Sequence, residues 1–206
     1  MHISKEDIYL RIGRNIAIFQ QIEFHLKKIL AGHKISGPMS KIQKIKKSNI
    51  SGIKNKTLGG LITNFISSYV SVKNDQDDFF DSDNDIEITE PHISITFGIT
   101  TDPDEFEKRK TRLNDLLSQR NELVHNLLLE YNINEENDRT NLASFLDNQF
   151  EQASYELYRL EIEADTLVRL RLDLEKSFAD PLVKNMIINP HLIHWLTFGN
   201  CSARWY

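Results

Sequence analysis

The sequence is short of cysteine, of long apolar runs and of excess positive charge. One cysteine, Cys201, in 206 residues excludes an intramolecular disulfide and suits a reducing compartment. No histidine and acid stand near it in sequence, so nothing supports a thiol nucleophile there. No segment approaches the uninterrupted apolar length of a membrane span. The start, Met1 to Asp7, turns acidic before any apolar stretch develops, which is not how a secretory signal reads. Lysine and arginine number 25 against 30 aspartate and glutamate, a formal net charge of −5. Bulk charge therefore advertises no polyanion ligand, and any nucleic-acid contact must be local. These absences predict a cytoplasmic protein without a membrane anchor, long enough to bury a sizeable core as one domain over 1–206.

What is present is mainly helical periodicity. Ile8, Ile12, Ile16, Phe19, Ile22, Leu26, Ile29 and Leu30 predict a first helix over about 5–31. Two polar residues intrude on its apolar face: Asn15 near the centre, and Glu23 roughly 60° off it. A lysine-rich stretch follows, with Ser51, Gly52 and Asn55 reading as loop chemistry. Thr57 can cap a shorter helix whose Leu58, Leu61, Ile62, Phe65 and Tyr69 face inward. Over 73–101 an acidic loop gives way to alternation, Ile86, Ile88, Ile93, Ile95, Phe97 and Ile99 with Pro91 between, which predicts an inserted β-hairpin. Asp102, Pro103, Asp104 and Glu105 then open a helix reaching about residue 131. Leu146, Phe150, Ala153, Leu157, Leu160, Ala164, Leu167, Arg171, Leu174 and Phe178 alternate spacings of four and three, predicting one long heptad-patterned helix over 139–179. That length suits either packing within the chain or an interface between chains. A short helix near 190–196 and an aromatic tail docking on the bundle complete an all-α reading.

One arginine is out of place. Leu113, Leu116, Leu117, Leu123, Val124, Leu127, Leu128 and Tyr131 form an apolar stripe, and Arg120 projects close to its centre. A guanidinium keeps its proton, so burying it costs several kcal/mol unless a carboxylate or phosphate answers it. Five residues on, in Arg120-Asn121-Glu122-Leu123-Val124-His125, a histidine falls roughly 130° from the stripe's centre on an ideal helix. Arginine can hold a phosphate by two parallel hydrogen bonds, and histidine can move a proton near neutral pH. Together they can cleave a phosphodiester without a metal. One histidine per chain leaves a second proton transfer unassigned, which a two-fold dimer would supply.

Arg-Asn-Glu-Leu-Val-His resembles the arginine, four to six residues, histidine motif of HEPN domains, and the layout of long first helix, shorter second and motif-bearing later helix resembles theirs over roughly 5–178. The resemblance implies a HEPN-like helical bundle and a metal-independent ribonuclease acting on RNA as a homodimer. A toxin or anti-phage role, restrained by an antitoxin or other regulatory protein, is implied with it. It places catalysis on Arg120 and His125, and gives Asn121 an orienting or phosphate-contacting role.

Glu23 and Asn15 are the expected supports of Arg120 from the first helix. Lys44, Lys46 and Lys47 are the expected RNA-backbone contacts. No cofactor and no metal are expected. His191 and His194 lack a nearby acid or cysteine ligand, and Asp81, Asp83 and Asp85 begin a calcium-loop pattern that fails where Ile86 and His92 replace its glycine and closing glutamate. The alternative is a non-catalytic helical scaffold or HEPN module that recruits a partner through the long helix, with Arg120 in a structural ion pair.

Overall fold

The computed structural model describes residues 3–72, 92–179, 197–198 and 201–205. Helices dominate: α1 (Lys5–Gly32), α2 (Ile42–Lys54), α3 (Leu58–Ser68), α4 (Pro103–Asn121), α5 (Leu127–Glu130) and α6 (Glu136–Ala179). Strands β1 (Lys34–Pro38), β2 (Val70–Val72), β3 (His92–Phe97), β4 (Ile99–Thr101), β5 (Thr197–Phe198) and β6 (Cys201–Trp205) form two small sheets beside them. None of the helices among the described residues is long and apolar enough to cross a membrane.

The helix starts follow local chemistry. Ser4 caps α1 in a reciprocal box with Asp7, and Asp102 accepts from the Glu105 amide while Pro103 occupies the first turn of α4. α6 is the long helix expected from the heptads. Its 44 residues would reach about 66 Å if straight. The contacts Arg11 and Arg14 to Asp147, Asn15 to Gln149, and Lys28 to Asp165 advance in the same direction on both helices, so α1 and α6 run parallel. Leu146, Ala153, Leu157, Leu160, Ala164 and Leu167 are buried, so the heptad stripe is covered within one chain. Between α4 and α6 the direction reverses: Arg109 reaches Glu163 while Gln119 reaches Gln152.

The stretch read as a lysine-rich loop contains α2. Ile42, Ile45 and Ile53 lie half-buried on it at helical spacing, a signal that the lysines and Ser51-Gly52 obscured. The expected hairpin is also revised. β3 alternates as expected, with Ile93, Ile95 and Phe97 buried, but it pairs antiparallel with β1 on one side and β6 on the other. Ile99 belongs to β4, which runs parallel to β2. Ile86, Ile88, Pro91 and the acidic residues 81–85 lie outside the described residues, as does the expected helix at 190–196. The C-terminal stretch joins the sheet through β6, whose last residue is Trp205, and Tyr206 lies outside the described residues. Two glycines make the sheets possible. Gly37 has φ 149°, where a Cβ would also collide with Ile45, and a Cβ on Gly98 would sit 3.0 Å from the Tyr69 carbonyl that accepts the Ile99 amide.

Asp147 locks α1 to α6 through Arg11 at 3.1 Å and Arg14 at 2.8 Å. Partial burial raises its carboxyl, but the two arginine hydrogen bonds outweigh that and hold it below the ordinary range. A depressed folded value means stability present above the unfolded carboxylate range and lost as pH falls through the folded one. The side chain is 48% exposed, which limits the contribution to under about 1 kcal/mol. Asp147→Asn should lower Tm by about 2 °C at neutral pH and flatten the acid limb of a Tm-against-pH curve. Parallel curves for the two proteins would refute this assignment.

Candidate functional site

A permanent charge buried deep in the core is Arg109, which sequence reading passed over. It is 2% exposed, pairs with Glu163 at 2.7 Å and lies over the Phe65 ring at 4.9 Å. Its spacing to Leu113 and Leu116 continues the apolar stripe one turn earlier, so the signal was in the sequence. Burial pushes the Glu163 carboxyl up despite Arg109 beside it.

Arg120, expected near the centre of that stripe, is instead half-buried. The reason is a change of helix geometry immediately after it. Glu122–Asn126 form a π-helical turn, closed where the Leu127 amide donates to the Glu122 carbonyl five residues back. A π-turn carries an extra residue, which shifts the register of everything beyond it. Leu123 and Leu127 remain buried, whereas Val124, expected to face inward, is 48% exposed. The same shift acts on the motif. Residues five apart would be about 140° apart on an α-helix, and the wider turn brings position 125 round toward the face of position 120. His125 is exposed and forms no hydrogen bond or ion pair among the described residues.

Arg120 has no acid partner among the described residues. Its Nη1 donates to Asn121 Oδ1 at 3.2 Å, joining the two adjacent motif residues. Glu23 shares a cleft with them but takes Lys27 Nζ at 2.6 Å, so the expected Glu23–Arg120 ion pair is not formed. Asn15 does not reach Arg120 either. It is fully buried, and its Nδ2 donates to the Leu146 carbonyl and to Gln149 Oε1, both at 2.8 Å. Gln149, 1% exposed, in turn donates through Nε2 to the Gln119 carbonyl at 2.9 Å. Asn15 thus acts one residue away from Arg120, through a buried amide chain that fixes the backbone where α4 enters the π-turn. Gln149 was missed because it occupies a polar position in an otherwise apolar pattern, and nothing in the spacing names its partner. Glu122, within the turn, has its carboxyl raised by burial and by the nearby Glu130.

The cleft in front of Arg120 encloses about 570 Å³ and is walled by α1, the connection from α2 to α3, and the end of α4. Gly59 lets α3 close against α4, since a Cβ there would meet Leu117 at 3.3 Å. Lys27, Lys54, Lys56, Arg120 and Asn121 all line it. The lysines expected to touch RNA do not line this cleft. Lys46 pairs with Glu175 of α6 at 3.2 Å, and Lys44 and Lys47 are exposed on α2 away from the cleft. Among the described residues no three metal-binding side chains cluster. No family model, curated protein or solved structure matches this chain.

Proposed function

We propose that the chain is a metal-independent endoribonuclease with a HEPN-like bundle, built as a homodimer whose site combines Arg120 and His125 from both copies. One observation carries the reading: a half-buried arginine with no acid partner among the described residues sits in a cationic cleft, five residues before an exposed histidine held on a π-turn. The buried arginines of the fold are answered, Arg109 by Glu163 and Arg139 by the Ile3, Ile133 and Asn134 carbonyls, whereas Arg120 meets only Asn121 among the described residues. In the proposed reaction one His125 removes the proton from a ribose 2′-hydroxyl, and that oxygen attacks the adjacent phosphorus. Arg120 holds the phosphoryl oxygens as charge builds, and the bond to the departing 5′-oxygen breaks. The His125 of the second copy gives that oxygen its proton, leaving a 2′,3′-cyclic phosphate and a 5′-hydroxyl. Such an activity fits a toxin or anti-phage effector held in check by a regulatory protein.

RNA cleavage should persist unchanged in excess chelator, and the products should carry cyclic phosphate ends detectable by mass spectrometry. Cleavage that stops on chelation, or products with 3′-hydroxyl ends, would overturn the mechanism. Exposed Tyr155, Tyr158 and Ile162 favour a second reading, a partner-binding scaffold, because they form a helical row on the outside of α6. Tyr158→Asp with Ile162→Asp separates the two: it abolishes function in a scaffold and spares cleavage in the ribonuclease. Leu157 and Leu160 are the wrong positions for that test, since both are buried and their loss would unfold the bundle.

A further inference from the structure

We propose that the cleft beside Arg120 is a subsite for the RNA strand next to the scissile linkage, with Lys54 and Lys56 taking a flanking phosphate. The inference rests on the ribonuclease reading. Among the described residues four cations, Lys27, Lys54, Lys56 and Arg120, line the cleft against one carboxylate, Glu23, a local balance of +3 in a chain of net charge −5. Glu23 and Lys27 satisfy each other at 2.6 Å. Lys54 and Lys56 form no ion pair or hydrogen bond through their ammonium groups among the described residues. Free ammonium groups beside an arginine with no acid partner repel one another, and an anion relieves that repulsion.

The lining also says which part of the strand is recognised. Its other polar residues are Asn55, Thr57 and Asn121, and among the described residues it holds no aromatic ring on which a base could stack. Contacts of that kind position a backbone and carry little sequence information. The two lysines are held on fixed backbone: the Lys56 amide donates to the Ile53 carbonyl at 3.0 Å, and Thr57 caps α3 one residue later. They are therefore offered to the cleft in a set direction.

Binding can be measured by fluorescence anisotropy with a labelled single-stranded RNA about ten nucleotides long, in a His125→Ala background that prevents turnover. The Lys54→Ala, Lys56→Ala pair should raise Kd about ten-fold in low salt. The slope of log K against log salt should become shallower by about 0.7 for each phosphate that the variant no longer neutralises. The Lys108→Ala, Lys110→Ala pair, exposed near the far end of α4 from Arg120, is the control for net charge and should leave both quantities unchanged. Equal losses in the two pairs, an unchanged Kd, or no RNA binding at all would overturn the subsite. Cleavage by the otherwise unaltered chain separates the two ideas. Lysine-dependent binding without any cleavage removes the ribonuclease reading and leaves the cleft as an RNA-backbone site only; cleavage indifferent to Lys54 and Lys56 keeps the ribonuclease and removes the subsite.

Discussion

Replacing His125 with alanine is expected to reduce RNA cleavage by about 10²- to 10⁴-fold, the usual contribution of a positioned acid or base, while Tm stays within about a degree. The second half follows from its surroundings. His125 is exposed and hydrogen-bonded to nothing among the described residues, so truncation removes no packing and strands no partner. The first half follows from the division of labour in the proposed reaction, where the imidazole alone moves protons and Arg120 alone carries charge. Arg120→Lys keeps that charge but loses the planar fork, and should fall between wild type and His125→Ala. Since each composite site needs a histidine from each of the two copies, one intact chain per dimer should not restore full turnover. An active His125→Ala protein, folded and cleaving RNA at the wild-type rate, would remove the imidazole from the chemistry. Cleavage would then have to be assigned elsewhere in the chain.

Much of the helical frame is legible in the sequence, because apolar spacing and caps are local signals. The heptads of α6 and the caps Ser4, Thr57 and Asp102 lie within a few residues of the structure they specify. What escapes reading is non-local or geometric. β1 has one buried aliphatic side chain, Ile35, and owes its existence to β3, whose register partners lie about sixty residues away. α2 escapes because its apolar face is sparse and its lysines and glycine imitate a loop. The site shows the same split. Arg120, Asn121 and His125 are visible as residue types at a spacing, but the π-turn that relates them has no composition signal of its own. An ideal helix therefore misplaces both ends: it puts Arg120 in the core and turns His125 away. Asn15 is legible as a polar residue that must be answered, and its answer, Gln149, is visible only once α1 and α6 are packed.

That pair makes the second large effect predictable. Gln149→Leu keeps the volume but deletes both ends of a buried relay, the acceptor of Asn15 Nδ2 and the donor to the Gln119 carbonyl. Leaving buried polar groups short of a partner costs about 1–3 kcal/mol, or a Tm decrease of roughly 2–9 °C in a chain of this size. Gln149 touches neither Arg120 nor His125, yet cleavage should fall by about 10- to 100-fold. Its amide holds the carbonyl from which the π-turn departs, and a displacement of about 1 Å in a reacting group can cost 10²-fold. The double variant Asn15→Leu, Gln149→Leu separates positioning from mere stability. With both buried amides gone the apolar replacements pack on each other, so most of the Tm decrease should be reversed. In the double variant the Gln119 carbonyl keeps only the Glu122 amide and not its tether to α6, so cleavage should remain low. A double variant that regains activity together with stability would mean that the relay only supports the fold. One that regains stability alone assigns Gln149 and Asn15 to the geometry of the Arg120–His125 turn.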